Sequence, residues 1–143
     1  LKKQRFIIFI VFSLLLLTGC AGLADYSVDL PGNYSIVRTS AHQVTISPKN
    51  GDIGWGSPII PTKVTEVAWD ETYILAKQLG LMKDPDRSNG YEIPNKNDVR
   101  FWILEFESGE VIGPFDEASF KDKKKELGIS KSVKLKEVKD LVD

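Results

Sequence analysis

Val99-Arg100-Phe101-Trp102-Ile103-Leu104-Glu105-Phe106 is the most apolar run in the body of the chain, and its pattern decides the fold. Successive side chains of a strand point to opposite faces. Phe101 and Ile103 therefore share one face, and Trp102, Leu104 and Phe106 share the other. Apolar residues on both faces predict a central strand covered on both sides.

Downstream of this run, Ser108-Gly109 reads as a tight turn into a strand over Glu110 to Ile112. Upstream, Val64 to Trp69 and Thr72 to Lys77 flank Asp70-Glu71, which predicts a hairpin. In its second arm, Tyr73 and Leu75 lie opposite Ile74 and Ala76. Tyr34 to Arg38 and Gln43 to Ser47 are shorter β-branched runs. Towards the C-terminus Asp116 is placed as a helix N-cap, with Phe115 and Phe120 at the staple positions that bracket it. Gly128 suits the residue just past the helix end. A second helix is expected over Val133 to Val142, with Leu135, Val138 and Leu141 along one side. The class predicted is α+β: a small antiparallel sheet of short strands and hairpins, then one or two C-terminal helices.

The chain has 143 residues, one His, one Cys and a net charge of −1. A single Cys excludes an intrachain disulfide framework and a Cys-rich zinc site. The charge gives no general attraction to nucleic acid, so no nucleic-acid partner is expected. The charge is uneven, however: residues 121–143 hold eight Lys against five acids. Interleaved acids favour a solvated face over a lipid-binding one.

The N-terminus carries the sharpest signal. Lys2, Lys3 and Arg5 precede an apolar stretch from Phe6 to Leu17. Twelve residues of helix reach only ~18 Å, too short for a bilayer core of ~30 Å. This is the pattern of a signal-peptide core rather than a membrane span. Leu17-Thr18-Gly19-Cys20 follows and resembles the lipobox read by bacterial lipoprotein-processing enzymes. The resemblance implies cleavage before Cys20 and a covalent diacylglycerol on its thiol. The expected organisation is a signal peptide over 1–19, a lipidated tether over 20–33 and one α+β domain over 34–143. Two acyl chains satisfy the requirement for stable anchoring. The expected location is therefore the extracytoplasmic face of the cell membrane.

Taken together, the lipobox, Val67-Ala68-Trp69-Asp70, Tyr73-Ile74-Leu75-Ala76, Phe101-Trp102-Ile103 and Gly113-Pro114-Phe115 resemble a small lipoprotein family of Gram-positive, bacillus-type bacteria. That family is catalogued as a domain of unknown function. The resemblance implies localisation and domain extent over most of the mature chain. It implies no activity, and no site residue beyond Cys20.

Other constellations are weak. A lipidated Cys20 has no free thiol for catalysis. A Ser–His–Asp triad would need His42, and there is no Gly-x-Ser-x-Gly elbow. Asp84, Asp86 and Ser88 alternate as calcium-loop ligands do, but Asn89 stands where Gly should make the sharp turn and Asn95 where a bidentate Glu should close the site. A polar turn-rich loop is the plainer reading, and no metal is expected. Gly51-Asp52-Ile53-Gly54-Trp55-Gly56 lacks the Lys of a phosphate cradle. Trp55 between two Gly suits carbohydrate stacking or a protein contact; a lid over the sheet is the plainer alternative. The sequence thus leads to a non-enzymatic binding module, with Trp55, Asp84, Asp86 and Ser88 as candidate contacts and no cofactor. Its partner is expected to be a protein or a wall polymer. The alternatives are an envelope hydrolase using carboxylates, with Asp70, Asp84, Asp86 and Glu92 as equal candidates, or a structural or assembly lipoprotein.

Overall fold

The computed structural model describes residues 25–142. The signal peptide, the lipobox residues Leu17, Thr18 and Gly19, and Cys20 lie outside the described residues. β1 (Tyr26–Leu30), β2 (Tyr34–Arg38) and β3 (Val44–Pro48) form a three-stranded antiparallel sheet in that order. β4 (Val64–Trp69), β5 (Tyr73–Lys83), β6 (Glu92–Glu105), β7 (Glu110–Phe115) and the short β8 (Lys136–Glu137) form a second sheet, ordered β7-β6-β5-β4-β8. One α-helix, α1 (Glu117–Glu126), follows β7.

The two faces of β6 separate as their residues dictate. Leu104 joins Ile36 and Ile46 of the small sheet, and Val67, Ile74 and Ala76 of the large one, in one core cluster. Trp102 and Phe106 pack against that cluster. Phe101 and Ile103 join Leu75 and Ala68 in a second cluster on the opposite face, closed by Phe120 of α1 and by Ile129. The large sheet is thus covered by the small sheet on one side and by the helical segment on the other.

The β4–β5 hairpin turns at Asp70-Glu71 as expected, with Trp69 opposite Ile74. The Asp70 carboxylate accepts from the N–H groups of Thr72 and Tyr73, at 2.8 and 2.7 Å. Side-chain acceptance of this kind is what makes Asp a turn former. β5 and β6 run further than their apolar patterns suggested and leave the core as a two-stranded ribbon. Glu92, Ile93 and Pro94 pair there with Lys83, Met82 and Leu81, and the register shifts across the polar Asn95, Lys96 and Asn97 before Val99 meets Leu79.

The caps of α1 follow the sequence closely. Asp116 accepts from Ser119 N–H at 2.7 Å, and Gly128 sits at φ +71°. Ile129 N–H bonds Lys124 O, and Gly128 N–H bonds Lys125 O. This paired closure satisfies orphan carbonyls and carries buried Ile129 into the second core.

Two expectations are corrected. Residues 26–33, read as tether, contain β1 and a 3-10 turn at Pro31–Asn33. Tyr26, Val28 and Leu30 alternate inward against the first core, and this burial holds the segment to the sheet. The second helix over Val133 to Val142 is absent. Lys136–Glu137 instead pairs with Val67 and Glu66 on the edge of β4. A 3-10 turn over Val138–Leu141 then buries Val138. The three-residue spacing of Leu135, Val138 and Leu141 suits a 3-10 turn as well as a helix. An open strand edge nearby decides the matter.

Candidate functional site

The outward face of the small sheet is the place where an aromatic residue and polar groups converge. Strand alternation sends Ser27 and Asp29 of β1, Ser35 of β2 and Thr45 and Ser47 of β3 to this face, away from the apolar Ile36 and Ile46. Lys49 follows directly after β3. Its Nζ lies 2.8 Å from Asp29 Oδ1, and this hydrogen bond and charge hold the Asp29 carboxyl below the usual carboxylate range. Ser35, fully buried, donates a long hydrogen bond to the same oxygen.

The Gly-rich loop folds back against this face. Gly56 N–H donates to Pro48 O at 2.8 Å, Asn50 N–H donates to Gly54 O at 2.8 Å, and the Trp55 backbone bridges that of Lys49. A 3-10 turn at Gly51–Ile53 precedes Gly54, whose φ of +125° turns the chain so that Trp55 follows in register. The Trp55 ring remains 47% exposed. It borders a shallow cleft of about 310 Å³ with Ser27, Asp29, Ser35, Lys49 and Asp52. Trp55 is therefore neither a buried lid nor a free side chain. It is a half-exposed plate beside an ion pair and hydroxyl groups, and next to Ile53, which is 91% exposed.

Such an arrangement can stack a flat or C–H-rich face and hydrogen-bond its polar rim. Asp29 is ion-paired and ionised at neutral pH, and so has no proton to donate.

The other sequence candidates lie elsewhere. Asp84, Asp86 and Ser88 occupy the tip of the β5–β6 ribbon. Asp84 Oδ1 accepts from Asp86 N–H at 2.9 Å, and Asp84 N–H donates to Tyr91 O at 2.8 Å. Arg87 lies 3.5 Å from Asp84 Oδ2 and stacks over the Tyr91 ring at 4.5 Å. The Asp84 carboxylate thus organises the turn. Asp86 and Ser88 are exposed. No group of His, Cys, Asp and Glu able to hold a metal ion occurs among the described residues.

His42 rests edge-on against Tyr91, with ring centroids 5.9 Å apart. Its buried Nδ1 has no hydrogen-bond partner among the described residues, so no carboxylate orients the ring as a triad requires. Asp70 is spent on its turn. Sequence reasoning missed Asp29, Ser27 and Lys49. The signal available was the alternation of Tyr26-Ser27-Val28-Asp29-Leu30, which marks a strand with a polar outer face.

Among the described residues, no helix is long and apolar enough to cross a membrane. A family model described as a protein of unknown function, DUF3997, matches residues 31–139. No curated protein and no solved structure matches the chain. The chain belongs to the DUF3997 family.

Proposed function

We propose that this member of the DUF3997 family is a lipid-anchored, non-enzymatic binding module on the outer face of a bacterial cell membrane, with the Trp55 cleft as its contact surface. The anchor is the diacylglycerol on Cys20, after removal of the signal peptide at the Leu17-Thr18-Gly19 lipobox. The lipobox and the family resemblance together favour a Gram-positive, bacillus-type source.

One observation carries the binding role: half-exposed Trp55 stands beside the Asp29–Lys49 pair and the hydroxyl-bearing Ser27 and Ser35. A protein or wall polymer presenting a flat, hydroxyl-rich surface has the matching chemistry. The anchor confines the module to the layer in which such polymers lie.

The test is co-purification from crosslinked cells, comparing the native protein with Cys20→Ser and Trp55→Ala. The native protein should enrich a specific protein or wall polymer. Cys20→Ser should lose that enrichment along with membrane association. Trp55→Ala should lose it while remaining in the membrane fraction. An unchanged partner set with Trp55→Ala would remove the cleft from the reading, and no enrichment with the native protein would remove the module role itself.

A further inference from the structure

Residues 121–143 interleave eight Lys with five acids in sequence, and the fold sorts them. Glu126 is engaged by Lys123 at 2.8 Å, and Glu137 by Lys139 at 2.6 Å. Lys124 lies over the Phe120 ring, 5.0 Å from its centroid, a contact that leaves its charge intact. Lys121, Lys125, Lys131, Lys134 and Lys136 are exposed and make no ion pair among the described residues.

These lysines border two clefts that share one wall, the segment over residues 128–136. The first, about 680 Å³, opens between the end of α1 and the loop after it. Four lysines line it, Lys121, Lys124, Lys125 and Lys131, beside the acid Asp122. The second, about 400 Å³, runs along the edge of β4, where Trp69 meets Ser132, Lys134 and Lys136. Leu135 packs against the second core, which leaves Lys134 and Lys136 exposed on either side of it. Ser132 N–H donates to Ser130 Oγ at 3.2 Å and Val133 N–H to Ser130 O at 3.1 Å. This turn joins the two clefts and carries Lys131.

Lysines at a helix C-terminus are favoured by the helix dipole, but that end carries only about half a negative charge. It cannot balance four lysines set against one Asp. Nor do the acids around Trp69 supply the balance. Glu66 holds Lys77 at 2.6 Å, and the Asp70 carboxylate is taken by the N–H groups of its turn. Glu71 stays exposed at the hairpin tip. Trp69 itself is 39% exposed, so part of a flat ring stands open at the end of the lysine row.

We propose that this surface, from the end of α1 to Trp69, binds a linear glycan whose sugars carry acid groups. The C–H face of a sugar ring stacks on Trp69, and the acid groups meet the ammonium groups as point charges. A single exposed lysine is screened by salt and holds an anion weakly. A ligand with charges repeated along its length engages several at once. Naming a glycan rather than an acidic peptide rests on Trp69 and on the envelope location proposed above; the lysine row does not depend on the anchor.

The full chain, held in neutral detergent, is titrated by calorimetry with hyaluronate oligosaccharides, neutral dextran and poly-glutamate. Hyaluronate should bind, and about tenfold more weakly when salt is raised from about 0.05 to about 0.5 M. Dextran lacks the charges and poly-glutamate the rings, so each should bind at least about tenfold more weakly than hyaluronate. Lys134→Gln with Lys136→Gln, both at exposed side chains, should weaken hyaluronate about tenfold. Trp69→Ala should do the same and Trp69→Phe less, with the melting temperature of each variant recorded. Lys83→Gln with Lys96→Gln, on the ribbon, should change little. No hyaluronate binding, or unchanged binding by the Lys134–Lys136 double variant, would overturn the site. Poly-glutamate binding as tightly as hyaluronate would overturn the glycan. Cys20→Ser removes the proposed anchor and should bind hyaluronate as the native protein does, so the anchor and this surface fail independently.

Discussion

Trp102 Nε1 donates to Gln78 Oε1 at 2.8 Å, and Gln78 Nε2 donates in turn to the Thr62 carbonyl at 2.7 Å. Thr62 Oγ1 accepts from Val44 N–H at 3.0 Å, so the chain of bonds runs from the large sheet into β3. Gln78 is 2% exposed. Every polar group of its amide that lacks a partner there would bear the full cost of desolvation.

Gln78→Leu should therefore destabilise the protein by about 1–3 kcal/mol, since the Trp102 N–H and the Thr62 carbonyl both lose their partner. Urea denaturation measures this. Trp102→Phe should cost less in the Gln78→Leu background than in the wild type. Equal costs in the two backgrounds would show that the bond contributes nothing.

Phe120 is the buried residue of α1, and its ring stacks on Phe101 with centroids 4.7 Å apart and 18° between planes. Phe120→Ala should cost about 3–5 kcal/mol by opening a cavity under the helix. Hydrogen exchange should show α1 amides losing protection before those of β5 and β6.

The Ser119 N–H bond holds the Asp116 carboxyl below the usual carboxylate range. A carboxyl with a lowered folded pKa adds stability above its unfolded pKa and loses it as pH falls through the folded value. Thermal denaturation below about pH 4 should thus show a shallower acid loss for Asp116→Asn than for the wild type. Asn keeps an acceptor at the cap but does not titrate there.

Gly32 sits at φ +67°, and a Cβ built on it would lie 2.5 Å from Phe106 Cβ. Gly32→Ala should destabilise by about 1–3 kcal/mol through backbone strain and the push on Phe106. Phe106→Ala in the same chain should relieve the second part, which a denaturation series on the two single variants and the double variant would separate.

The sequence made the central layer legible because β6 had to be apolar on both faces, and no other arrangement buries Phe101 and Leu104 together. The helix ends were legible because capping is local chemistry, set by Asp116 and Gly128. β1 was harder to read: Pro31-Gly32-Asn33 marks a turn, and a turn after a five-residue run reads equally as tether. The fate of Leu135 to Leu141 depended on the unpaired edge of β4, a tertiary fact that local spacing does not contain. The candidate site was half legible for a related reason. Trp55 stands out between two glycines, whereas Asp29 and Lys49 meet only through the register of three strands.

Leu30, at the end of β1, and Val138, in the last turn, are buried in the same core cluster. A chain delivered from its N-terminus onward cannot complete that cluster until Val138 arrives. Pairings this distant in sequence close slowly, so the first strands stay open while the remainder of the chain is still being threaded. Under the export proposed above, that pairing keeps the core from closing until Val138 has crossed the membrane.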